Sequence, residues 1–105
     1  MFQLEFTHSA QAHLEEIEKA KPGSGLAKQV KKALGYLQTN PKRPSLNTHP
    51  YDSIPNPINP KEKVFEAYAQ NNTPSAYRIF FIYGSAKIPP TKGKIITIIA
   101  ITPHP

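Results

Sequence analysis

Apolar and polar residues alternate at the start of the chain: Phe2, Leu4 and Phe6 are separated by Gln3 and Glu5. Period two predicts a short strand with one buried face. The spacing then changes. Ala10, Leu14 and Ile17 recur at helical intervals, while Glu15, Glu16 and Glu18 fall mostly off that stripe, which predicts an amphipathic helix. Thr7 or Ser9 offers its N-cap. Pro22-Gly23-Ser24-Gly25 interrupts the pattern and gives a short connection. A second stripe, Leu26, Val30, Ala33, Leu34 and Leu37, predicts another helix, ended by Asn40-Pro41. So short a joint predicts an antiparallel helical hairpin.

Residues 41–60 hold six of the twelve prolines. Proline has no backbone donor and disrupts helices and sheet ladders alike, so this stretch reads as an ordered, irregular loop, pinned by Leu46, His49, Tyr51 and Ile54. Strand patterns follow. Val64 to Ala69 is one, Asn71-Asn72-Thr73-Pro74 the turn, and Ala76 to Tyr83 the next. Gly84 to Gly93 is a loop. Ile95 to Ile101 is apolar on both faces, as a strand inside a sheet is. The order β-α-α-β-β-β predicts a single α+β domain over residues 1–105. A helical hairpin packs on one face of a mainly antiparallel four-stranded sheet, and the other face is left partly open.

Composition narrows the chemistry. The chain carries 13 Lys and Arg against 7 Asp and Glu, a formal net charge of +6. Such a balance favours an anionic partner, nucleic acid first. The absence of cysteine removes disulfides and thiolate metal sites, and the four histidines are not in zinc-like spacing. No metal or other cofactor is expected. No apolar run is long enough to span a bilayer, and MFQLEF has an acid where a signal peptide starts basic. A cytoplasmic protein is the expectation.

The most informative residue is Arg78, a cation inside the run Tyr77-Arg78-Ile79-Phe80-Phe81-Ile82-Tyr83. Arginine does not lose its proton, and a charge withdrawn from water needs a partner. Either a carboxylate such as Glu66 neutralises it across the strands, or its sheet face is open to an anionic ligand. A guanidinium suits phosphate because it offers two parallel donors. His104, between Pro103 and Pro105, is the one histidine beyond the last strand. Imidazole exchanges protons near neutral pH.

The element order, the Tyr-Arg opening of an apolar central strand, the length and the basic charge together resemble the RelE/ParE toxin superfamily. The likeness spans nearly the whole chain, and His104 just past the last strand is most similar to the YoeB and HigB branches. The resemblance implies the toxin of a type II toxin–antitoxin system. It implies a metal-independent endoribonuclease acting on ribosome-bound mRNA, in which the RNA's 2′-hydroxyl attacks the adjacent phosphate. It further implies Arg78 as the phosphate cation and His104 as acid or base.

Glu66 and Tyr68 share one strand face and complete the candidate catalytic set. They stand on the strand where RelE itself carries lysines, a departure from a lysine-based mechanism that leaves room for a carboxylate base, for which Glu66 is a candidate by its chemistry. His49, Lys42, Arg43 and Lys63 are candidates for binding RNA. Tyr51 and Tyr68 are candidates for stacking on bases. The expected partners are an antitoxin covering the basic face, the ribosome and mRNA. The alternative is a member of the fold that acts by protein contact alone, since fold does not fix function.

Overall fold

The computed structural model describes residues 1–20, 25–71, 75–84 and 94–103. The connection at 21–24, the centre of the 71–74 turn, most of the 84–93 loop and His104 lie outside the described residues.

The predicted elements form. Strand β1 (Gln3–Phe6) leads into helix α1 (His8–Ala20), then α2 (Leu26–Thr39), a short 3-10 turn (Pro44–Leu46), β2 (His49–Pro50), β3 (Phe65–Tyr68), β4 (Tyr77–Tyr83) and β5 (Ile95–Pro103). The sheet order is β1-β5-β4-β3-β2. Among the described residues only the β1–β5 pair is parallel, and the sheet has five strands rather than the four expected. The added one is the two-residue β2, in which His49 faces Glu66 and Pro50 faces Phe65. Proline in this segment argues against a central strand but is tolerated at a sheet edge, where the missing donor breaks no second ladder.

Of the two N-cap candidates, Thr7 is used. Its hydroxyl accepts from the Ala10 amide at 3.1 Å, and its own amide donates to the Ile98 carbonyl at 3.0 Å. One residue thus closes the β1–β5 ladder and opens α1. Beyond it, β5 outruns β1, and His13 on α1 takes over: its Nδ1 accepts from the Ile101 amide at 3.2 Å.

Period two divides the sheet into two faces. Ala67, Ile79, Phe81, Ile96, Ile98 and Ile101 pack under Ala10, Ile17, Val30, Ala33, Leu34 and Leu37 of the helices. Burying a side chain such as Phe81 stabilises by roughly 1.5–3 kcal/mol. Glu18 and Lys31 pair across the helices at 2.8 Å. On the opposite face Phe80, Ile82 and Ile99 form a smaller core with Val64, covered by Tyr51 and Ile54. The proline-rich segment is therefore pinned as expected. Leu46 anchors its first part to the helical core. Tyr51 donates its amide to the Val64 carbonyl at 2.8 Å, and buried Asn56 accepts from the Ile58 and Asn59 amides. This loop covers one end of the second face and leaves the other end to Glu66, Tyr68 and Arg78. No described helix is long and apolar enough to cross a membrane.

Thr7→Ala is expected to lower stability in urea unfolding by about 1 kcal/mol, the usual value of a helix cap. Ser9→Ala, which removes no cap, is expected to change it by less than about 0.5 kcal/mol. Equal effects would contradict this assignment.

Candidate functional site

Register brings the site together. Tyr68 lies directly opposite Arg78, and Glu66 opposite Phe80 on one side and His49 on the other. Glu66 and Arg78 are therefore diagonal neighbours on one sheet face, a separation that long side chains bridge. His49 reaches the same face from β2.

Glu66 is 2 % exposed and is the hub. Its Oε1 lies 2.8 Å from His49 Nε2, and its Oε2 lies 3.9 Å from Arg78 Nε. The second distance is an ion pair without a hydrogen bond, and Arg78 Nε is buried with no hydrogen-bond partner. The rest of the guanidinium is held firmly. Its Nη1 donates to the Gln70 carbonyl at 2.5 Å and to the Tyr77 carbonyl at 3.4 Å, and its plane lies over the Tyr68 ring, 3.6 Å from the centroid. The Arg78 side chain is left 11 % exposed. Gln70 is fixed in turn, accepting from the Tyr77 amide and donating to Gln29 on α2.

The His49 protons follow from its partners. Nδ1 lies 2.6 Å from the Asn47 carbonyl, which accepts only, so Nδ1 carries a hydrogen and donates. Nε2 then meets Glu66 in one of two ways: as an imidazolium donating to a carboxylate, or as a bare nitrogen accepting from a carboxylic acid. Either way one proton is shared between Nε2 and Oε1. The His49 side chain is 38 % exposed and stands edge-on to Tyr68, with ring centroids 6.0 Å apart. It is the solvent-facing member of the pair.

The four RNA-binding candidates gather at the β2 edge. Lys42, Arg43 and His49 line one concavity of about 380 Å³ together with Phe65 and Tyr83. Lys63 lines a second, with Lys61 and Glu62, against the same two rings. Arg43 is committed in part to α2, its guanidinium 3.8 Å from the Tyr36 ring centroid. Of the stacking candidates, Tyr51 is spent on the smaller core, 5.1 Å from Phe80, and Tyr68 on Arg78. Sequence reasoning missed Tyr83, which ends β4 on the helical side. Its aromatic neighbours Phe2 and Phe65 come from distant parts of the chain, and no local spacing reveals them. His104, the expected acid or base beside Arg78, lies outside the described residues.

No protein-family model and no curated protein matches the sequence. Solved structures do match. A YoeB/ParE toxin from Agrobacterium tumefaciens superposes with a TM-score of 0.68 at 10 % identity, over 99 % of this chain and 100 % of that one. YafQ from Escherichia coli strain BL21(DE3) gives 0.61 at 11 % identity, over 99 % and 94 %. The YoeB dimer from Staphylococcus aureus gives 0.60 at 11 % identity, over 99 % and 98 %. The chain has the fold of the YoeB and YafQ toxins. The likeness expected from the Tyr-Arg strand and the element order holds at the level of fold.

Breaking a buried ion pair by removing one member leaves the other uncompensated. Glu66→Gln, which keeps the shape, is expected to destabilise the domain by about 3 kcal/mol, and adding Arg78→Gln is expected to recover part of that. A double variant showing the plain sum of the two single effects in denaturant unfolding would contradict the coupling.

Proposed function

We propose that this chain is the toxin of a type II toxin–antitoxin pair and a metal-independent endoribonuclease acting on ribosome-bound mRNA. The observation that carries this reading is the convergence, on the sheet face away from the helices, of a held guanidinium and a proton-sharing Glu66–His49 pair. The toxin fold of its structural neighbours and the basic charge support it.

In the proposed reaction the 2′-oxygen forms a bond to the adjacent phosphorus as its proton passes to a base. The bond from phosphorus to the 5′-oxygen breaks, and that oxygen takes a proton from an acid. The products are a 2′,3′-cyclic phosphate and a 5′-hydroxyl end. Arg78 meets the charge that grows on the phosphoryl oxygens. The Glu66–His49 pair handles one proton, with His49 its solvent-facing member and Glu66 acting through it, because the carboxylate is buried. Tyr68 positions Arg78. The resemblance assigns the second proton transfer to His104. An antitoxin would cover the basic edge that carries Lys42, Arg43 and Lys63.

One observation favours a second reading. Arg78 is largely covered and beside a carboxylate, as in a structural ion pair, which suits a domain that acts by protein contact alone.

Inducible expression in growing bacteria, with mapping of mRNA 5′ ends, separates the two. The nuclease reading predicts growth arrest with new 5′-hydroxyl ends inside coding regions. Arg78→Ala is expected to reduce cleavage by about 10²–10³-fold, as loss of a charge-stabilising donor does. His49→Gln and His104→Gln are each expected to reduce it by about 10²-fold or more. Growth arrest without new mRNA ends would establish the second reading, and full cleavage by Arg78→Ala would remove that residue from the mechanism.

A further inference from the structure

We propose that Tyr83, with Phe65 beside it and Lys42, Lys61 and Lys63 around it, forms a stacking subsite for an unpaired nucleotide of single-stranded RNA. The proposal rests on the RNA reading above and adds to it a place on the fold where the strand is held away from Arg78.

Tyr83 is the exposed member of an aromatic cluster. Its ring lies 5.1 Å from Phe65 and 5.5 Å from Phe81, both near-perpendicular, and 6.0 Å from Phe2. Phe65 of β3, Phe81 of β4 and Phe2 just ahead of β1 thus fix its orientation, yet the residue is 41 % exposed. A ring already held loses little freedom when a base stacks on it. Of the concavities that open around it, three, of about 380, 380 and 610 Å³, are lined by both Phe65 and Tyr83.

The surroundings identify the ligand. Lys42, Arg43, Lys61 and Lys63 line these concavities, against one acid, Glu62. An aromatic platform within a cationic groove is the usual construction for single-stranded nucleic acid. The Tyr83 phenol is neutral at pH 7, as tyrosine ordinarily is, and burial raises it further, so it does not repel phosphate. Position supports the same ligand. His49 shares a concavity with Tyr83 and also contacts Glu66. Phe65 stands three residues before Tyr68 on β3, on the opposite face of the sheet. A short RNA segment spans that interval over the β2 edge.

The chain contains no tryptophan, so Tyr83→Trp places a single indole at the subsite of the full-length protein. Its fluorescence is titrated at low salt with a short 2′-O-methyl oligoadenylate, which has no 2′-hydroxyl and is not cleaved. Saturable quenching is expected. With a labelled oligonucleotide, Tyr83→Ala is expected to weaken binding about tenfold or more, as loss of one base stack does, and Tyr83→Phe to bind as the parent. Lys61→Gln with Lys63→Gln is expected to reduce the salt slope by about 1.4, the value for two contacts on a single strand. Binding without quenching, equal affinity of the Ala and parent chains, or no binding to the parent chain would overturn the subsite. Stronger quenching by an oligoglutamate peptide would overturn it in favour of an acidic protein partner. Because the probe cannot be cut, none of these results depends on the nuclease activity, which the mapping of mRNA ends judges separately.

Discussion

A carboxylate taken out of water has to be matched, and Glu66 is matched from both sides of its strand. His49 approaches from β2 at 2.8 Å and Arg78 from β4 at 3.9 Å. Without that charge the two-residue β2 would lose the side-chain anchor beside its backbone pairing with β3, and the guanidinium would lie buried with no counter-charge. A buried ion pair seldom adds much net stability, but losing one member is costly. Glu66 therefore acts chiefly as a constraint. It fixes where the proline-rich segment joins the sheet, and it fixes which face Arg78 occupies.

The two sheet faces are put to different uses. The helix-side face is committed to the main core through Phe81, Ile79, Ile96 and Ile98. The other face is shared. One end is closed by Tyr51 and Ile54 over Phe80 and Ile82, and the other holds the charged cluster. The long loop has two functions as a result: it supplies a second small core, and it delivers His49. Close packing of the first end leaves the second to the charged cluster, in which His49 is the solvent-facing member.

Much of this was legible in the sequence, for identifiable reasons. Period two at Phe2–Phe6 and the helical stripes at 10–17 and 26–37 specify their own elements through one buried face each, and the apolar run Ile95–Ile101 specifies its strand through two. The diagonal of Glu66 and Arg78 follows from pairing consecutive strands, so an ion pair between them was foreseeable. Strand β2 was not, because two residues beside prolines carry no period. Tyr83 was read only as the end of a strand, since Phe2 and Phe65 reach it through the fold. Nor does any local pattern show that His13 on α1 would accept from Ile101. A contact across 88 positions belongs to topology.

The central claim is that Glu66 and the Asn47 carbonyl hold His49 by both ring nitrogens. Nitrogen-15 NMR of the His49 imidazole tests it most directly. The account predicts a hydrogen on Nδ1 across the neutral pH range, with Nε2 changed by Glu66→Gln. A neutral ring with a bare Nδ1 and its hydrogen on Nε2 would contradict it, as would an Nε2 signal indifferent to Glu66.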